Sequence, residues 1–172
     1  GSYNISWYFI EGGAAVDGNM PEVKRVYCDR SSVSVPRRRA ETHKGDYGKL
    51  LIVGGSVGYT GAPNLCARAA VRSGAGLVYL GVPEAIWSVC AVKNDEAMPF
   101  PLPCDASGKL TADALSPLRE YYDRCGVLAL GPGLGRSDGT AALTAALIRK
   151  FPGKIVLDAD ALWAASLVPD IL

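Results

Sequence analysis

The residues of this chain that can do chemistry recur in one setting, the end of a short apolar run. Residues 50–53 (LLIV), led by Lys49, run into GGSVGYTG at 54–61. Residues 127–130 (VLAL) run into GPGLG, with Gly131, Gly133 and Gly135 at every second position. Residues 154–157 (KIVL) run into Asp158-Ala159-Asp160. Glycine admits positive φ and brings backbone N–H groups close to a ligand, and such groups at the head of a helix favour anions. Two carboxylates at a strand exit suit a Mg2+ ion or the orientation of a hydroxyl, or one of them caps the next helix. A fourth group, His43-Lys44-Gly45-Asp46, precedes the first apolar run. A glycine beside a cation lets backbone and side chain meet an anion together; the alternative is a solvated basic loop. Arg37, Arg38 and Arg39 read as a solvated charge run.

These groups need strands and helices to hold them. A strand is predicted over 49–53, then a helix over 62–73 with Ala62, Cys66, Ala69 and Ala70 toward the sheet and Pro63 in its first turn. Gly74 and Gly76 are candidates to end it. A second strand over 77–81 leads to a helix over 83–92 that turns Ile86, Trp87 and Cys90 inward. Residues 94–103 (NDEAMPFPLP) are expected to be an irregular loop, because three prolines oppose regular structure. Asp95 and Glu96 in it read as solvated or helix-capping carboxylates. A helix over 113–125 presents Leu115, Leu118 and Tyr122 on one face. A strand over 127–130, a helix over 137–150 capped by Asp138, a strand over 154–157 and a helix over 161–167 complete the pattern. Four alternations of strand and helix imply a parallel sheet with right-handed crossovers. Both glycine corners then share the carboxyl edge, where open α/β sheets bind ligands. A nucleotide-type ligand is the first expectation.

Bulk properties narrow the classes. The 172 residues make one domain with room for a hydrophobic core. A net charge of +1 gives no field to draw nucleic acid or anionic lipid, so neither is expected as a partner. No apolar run approaches the ~20 residues of a membrane span. Five widely spaced cysteines, Cys28, Cys66, Cys90, Cys104 and Cys125, form no zinc pattern; they read as reduced thiols of a cytoplasmic protein. Residues 1–19 differ from the rest: Gly1-Ser2 resembles a cleavage scar and Met20 stands where a natural start would lie. They are expected to be a tag or leader, with 20–172 the native part.

The blocks HKGDYGKLLIVGGSVGYTGAPNLCARAAVRSGAGLVYLGVP, KNDEAMPFPLP, VLALGPGLGRSDGT and IVLDADALWA, in this order, closely resemble the ADP/ATP-dependent NAD(P)H-hydrate dehydratases. The resemblance covers residues 35 to about 172. It implies a ribokinase-like three-layer α/β sandwich with a mainly parallel sheet. The implied reaction is metabolite repair on the 6-hydroxylated hydrate of NADH or NADPH. ADP or ATP, with Mg2+, phosphorylates that hydroxyl; phosphate leaves and the dihydronicotinamide is restored. Hydroxide is a poor leaving group and phosphate a good one, so catalysis rests on positioning and on stabilising phosphate charge. By motif, Ala62 and Gly135 resemble contacts to the hydrate, and Gly131 and Gly133 shape the turn, one of them touching the ligand as well. His43, Lys44 and Gly45 are expected to line the same edge. Asp158 and Asp160 remain further candidates.

The family pattern also has a PHxGE segment, a lysine-glycine strand that holds the nucleotide, and a GSGD element. GSGD supplies the anion hole and the aspartate base. None of these occurs in the 172 residues, so no catalytic residue is identified. The expectation is a sandwich truncated on its C-terminal side, with the hydrate-binding half present. An exposed sheet edge would follow, covered by self-association or by a complementing C-terminal fragment. The alternative is a module that binds a nucleotide without turning it over. A Rossmann-type oxidoreductase fits less well: GGSVGYTG is not GxGxxG, and LVYLGVP ends without the acidic residue that would hold a ribose.

Overall fold

The computed structural model describes residues 6–9, 24–27 and 39–168, and the chain divides into two units, Gly1–Thr42 and His43–Leu172. Cys28, Arg37 and Arg38 lie outside the described residues. In the first unit, β1 (Ser6–Phe9) pairs antiparallel with β2 (Lys24–Tyr27), Ser6 opposite Tyr27.

The second unit opens with a 3-10 turn (Lys44–Tyr47) and β3 (Lys49–Val53). It continues through α1 (Gly61–Arg72), β4 (Leu77–Pro83), α2 (Glu84–Lys93) and β5 (Met98–Leu102). A 3-10 turn (Ala112–Ala114) leads into α3 (Leu115–Tyr122) and β6 (Val127–Leu130). Then come α4 (Asp138–Lys150), β7 (Lys154–Leu157) and α5 (Asp160–Ser166). All five strands are parallel, in the order β5-β4-β3-β6-β7. No helix of the described residues is long and apolar enough to cross a membrane.

Alternation along each strand sorts the core into two layers. Ile52 of β3 joins Val78, Leu80 and Val82 of β4 on the face covered by α1 and α2, through Ala67, Ile86 and Cys90. Leu51 and Val53 join Leu128 and Leu130 of β6 on the other face, under Leu118 of α3, Leu143 and Leu147 of α4 and Ala161 of α5. Both faces of the sheet at β3, β4 and β6 are thus covered, whereas Lys154 and Val156 of β7 stay exposed. Each fully buried leucine contributes about 1.5–3 kcal/mol, against about 0.5–1.5 kcal/mol for a single hydrogen bond. The core therefore sets the scaffold, and the loops are carried on it.

Several local expectations need correction. Residues 98–102, expected in a loop, form the fifth strand, paired to β4 with Leu80 opposite Pro99 and Val82 opposite Pro101. Two prolines two apart point their missing N–H groups to the same side, here the outer edge, where no ladder bond is lost. Trp87 does not turn inward: it is 41% exposed, and its indole Nε1–H donates to the Pro99 carbonyl at 3.1 Å, closing part of that edge. On α1, Ala69 is exposed and Ala67 is the fully buried small residue. Asp138 does not cap α4. Ser137 does, accepting from Thr140 N–H, while Ser137 N–H donates to Thr140 Oγ1. The predicted helix over 113–125 is a short 3-10 turn followed by α3, which ends at Tyr122. Gly74 does end α1: at φ +100 it donates to Val71 O, and Ala75 N–H reaches back to Ala70 O, a Schellman arrangement. Cys66, Cys90, Cys104 and Cys125 are free thiols.

Candidate functional site

The strand order decides where a ligand can sit. From β3 the chain moves outward through β4 to β5, then returns to place β6 on the other side of β3. The loops leaving β3 and β6 therefore diverge from adjacent strand ends, and that divergence opens the crevice where doubly wound sheets bind ligands. Both glycine loops, 54–60 and 131–136, flank it.

The two loops are stitched together at its floor. Gly55 N–H donates to Pro132 O at 2.9 Å, Gly131 N–H to Val53 O at 3.1 Å, and the buried Ser56 Oγ–H to Gly133 O at 2.9 Å. A side chain at Gly54 would collide with the Pro132 carbonyl, so this glycine is required by close approach. Gly133, at φ +66, packs on the residues that start α1. A Cβ there would stand 2.8 Å from Tyr59 O and 3.3 Å from the Ala62 methyl. Gly135, at φ +75, faces Ser56 Oγ and the stem of Lys109, each 3.3 Å from where its Cβ would be. The structure thus brings Ala62, Gly131, Gly133 and Gly135 together.

The β7 exit joins the same crevice. Gly131, at φ +122, has no room for a side chain because the Asp158 carbonyl is pressed against it. Between the two aspartates, Ala159 takes φ +47 and ψ −117, a conformation that alanine adopts only under constraint from its surroundings. Asp160 is not a free carboxylate. Its Oδ2 accepts Gly135 N–H at 3.0 Å and its Oδ1 accepts Arg136 Nε–H at 3.0 Å, so it ties the second glycine loop to α5. Arg136 also lies 5.4 Å from the Trp163 ring centre. Asp158 is exposed, and its carboxylate has no hydrogen-bond or ion-pair partner among the described residues. Burial pushes the Cys66 thiol up, and the nearby Asp158 charge adds to this, which favours the protonated thiol where it packs against the α1-side core. No cluster of three or more His, Cys, Asp or Glu able to hold a metal occurs among the described residues.

His43, Lys44 and Gly45 are not on this edge, and that expectation is corrected. They precede β3, whose five residues separate the two edges of the sheet by about 16 Å. Their turn packs on the link between α1 and β4. Gly76 N–H donates to Tyr47 O and Gly48 O, and a side chain at Gly76 would overlap the Lys44 carbonyl. His43 N–H donates to Asp46 Oδ2 at 3.0 Å, which closes the turn on itself. Asp95 and Glu96 are exposed beside a cavity of about 200 Å³ lined by Arg68, Arg72 and Lys93, on the α1 flank.

Lys109 and Thr140 are parts of the site that the sequence did not point to, and the hydrogen bond of Ser56 across to Gly133 was likewise not foreseen. Thr140 Oγ1–H donates to Gly135 O at 2.9 Å, holding the loop from the head of α4. The signal for Lys109 was DASGK at 105–109, a turn sequence between the expected loop over 94–103 and the expected helix over 113–125.

A model of the NAD(P)H-hydrate dehydratase family matches residues 50–169. Bifunctional NAD(P)H-hydrate repair enzymes Nnr are similar to this chain: that of Moorella thermoacetica is 47% identical over 130 residues, and that of Dictyoglomus turgidum 45% over 132. Each alignment covers 76% of this chain but only 24% and 25% of those proteins, so the chain spans about a quarter of the length of the curated relatives it matches. A ribokinase-like superfamily protein from Enterococcus faecalis superposes with a TM-score of 0.66 at 20% identity, over 77% of this chain and 44% of that one. The ADP/ATP-dependent NAD(P)H-hydrate dehydratase of Bacillus subtilis, co-crystallised with ATP and Mg2+, superposes with a TM-score of 0.57 at 27% identity, over 74% and 42%. The fold is ribokinase-like, and the resemblance read from the four sequence blocks holds.

Proposed function

The chain belongs to the NAD(P)H-hydrate dehydratase family, and from that premise we propose that its crevice binds the hydrate of NADH or NADPH for nucleotide-dependent dehydration. One observation carries the proposal: the β3 and β6 loops meet so that Ala62 and Gly133 are neighbours and Gly135 stands beside them. Small residues let the two loops pack backbone against backbone, and the flat ring is proposed to lie across the surface that they form. In the proposed reaction the 6-hydroxyl gives up its proton and takes the terminal phosphoryl group of ATP or ADP, releasing ADP or AMP. The ring nitrogen's electron pair then expels phosphate, and loss of a C5 proton from the resulting iminium restores the dihydronicotinamide. Mg2+, if it arrives with the nucleotide, would find in Asp158 a carboxylate with no hydrogen-bond or ion-pair partner among the described residues, and would supply charge neutralisation of the phosphates. Asp160 is excluded from that part because Gly135 and Arg136 occupy it.

The test is calorimetry of the 172-residue chain with NADH hydrate, followed by an assay for NADH formation with ATP or ADP and Mg2+. Hydrate binding is expected. Absence of hydrate binding would refute the proposal. A second reading, binding without turnover, is favoured because Asp160 is held by Gly135 and Arg136, which leaves Asp158 as the one unpartnered carboxylate at the β7 exit among the described residues. NADH formation by this chain alone would remove it.

We also propose that the outer edge of β7 recruits a further strand, from a second copy or a complementing fragment. Proline blunts the β5 edge, whereas β7, the other terminal strand of the sheet, carries none. Sedimentation of the chain is expected to show self-association; a monomer at high concentration would count against it.

A further inference from the structure

The turn at 105–109 is built with more care than a surface connection requires. Asp105 accepts from Ser107 N–H, Ser107 Oγ–H and Lys109 N–H through one oxygen, and Asp105 N–H donates to Lys109 O at 2.8 Å. Those bonds, Lys109 N–H first, hold the Asp105 carboxyl below its ordinary range, so the turn stays locked across neutral pH. Gly108, at φ +73, has Val57 packed where its side chain would be, and its carbonyl accepts Val57 N–H at 3.3 Å. The turn is therefore docked on the first glycine loop. The next residue, Lys109, lays its stem across Gly135 of the second. Its backbone is pinned at both N–H and carbonyl, its side chain is half-buried, and no carboxylate among the described residues lies within ion-pair distance of its ammonium, the Asp105 charge acting on it only from further off.

We propose that Lys109 binds a phosphate oxygen of the ligand held between the two glycine loops, namely the pyrophosphate of the dinucleotide hydrate. This rests on the function proposed above. A lysine is a compact point charge that meets phosphate without a fixed fork geometry, and here it hangs over the wall formed by Gly133 and Gly135. Arg136, the neighbouring cation, is directed toward Asp160 and the Trp163 ring, whereas Lys109 has no ion pair among the described residues and lies directly against Gly135. The competing role is packing, in which the lysine stem only shields Ser56 and Gly135 from water.

Lys109→Met separates the two, because it keeps the apolar stem and removes the charge. Calorimetry on the full chain is run with NADH hydrate, with the hydrate of reduced nicotinamide riboside, which has no phosphate, and with ATP and Mg2+. Lys109→Met is expected to weaken NADH hydrate binding about tenfold, to leave the riboside hydrate and ATP unchanged, and to reduce the salt dependence of dinucleotide binding. Lys109→Arg is expected to restore most of the affinity. Unchanged dinucleotide affinity, equal losses with the phosphate-free hydrate, or a loss confined to ATP would each overturn the assignment. A wild-type chain that binds no hydrate would instead overturn the proposed function beneath it.

Discussion

Gly131→Ala is expected to destabilise the second unit by about 2–6 kcal/mol and to abolish hydrate binding. Two costs combine. A non-glycine residue forced to φ +122 bears about 1–3 kcal/mol of backbone strain. The added methyl would also overlap the Asp158 carbonyl and stand 2.8 Å from the Ala161 side chain, and overpacking of this kind costs about 1–3 kcal/mol. Neither neighbour can retreat easily. Asp158 O accepts Ala161 N–H at 3.0 Å in the first turn of α5, and Asp158 N–H donates to Leu130 O at 3.0 Å. Against a total stability of about 5–15 kcal/mol for a domain, the loss is large. Gly48→Ala is the control: Gly48 is at φ +78, but nothing lies within 4 Å of where its Cβ would be. It bears the strain without the collision. Urea unfolding followed by circular dichroism measures both, and a Gly131 variant no less stable than the Gly48 variant would refute the overlap account.

Asp160→Ala is expected to weaken hydrate binding about tenfold or more while leaving the chain folded. The side chain makes two bonds of unequal worth. The one from Gly135 N–H joins a charged acceptor to the backbone of the binding loop, a class worth about 1.5–3 kcal/mol. The pair with Arg136 involves a side chain that is 62% exposed, and such surface pairs contribute about 0–1 kcal/mol. The effect should therefore come through Gly135 and not through Arg136. Arg136→Ala is expected to change hydrate affinity less than threefold, within that surface-pair range. Asp160→Asn, which keeps an acceptor oxygen, is expected to fall between. Amide exchange at Gly135 provides an independent readout, rising in the alanine variant and not in Arg136→Ala. Equal effects of Asp160→Ala and Arg136→Ala would show that the charge pair, and not the loop anchor, matters.

Much of this was legible before any coordinates. Four of the five strands of the sheet, the helices between them and the glycine corners follow from apolar runs that end in turn residues, because those signals are local in the chain. β5 escaped for an equally physical reason. Proline is incompatible with a paired strand but harmless on an edge, and whether a strand lies at an edge depends on its neighbours. Trp87 followed from the same error: with no strand expected at 98–102, no outward carbonyl was available for its indole. His43, Lys44 and Gly45 were placed by charge and glycine content, which say nothing about which end of the sheet a segment meets.

The sequence by itself determined the family, the parallel α/β character and the positions where only glycine fits. The tertiary structure decided which of those positions meet. The adjacency of β3 and β6 joins residues some 75 apart into one crevice through Ser56 and Gly133. It also turned Asp160 from a candidate ligand group into the anchor of the second glycine loop, and it delivered Lys109 onto that loop from a stretch for which the sequence carried no expectation. The physical reason is range. Strand, turn and cap preferences act over a few residues, whereas the order of parallel strands is set by burial of both sheet faces across the whole unit.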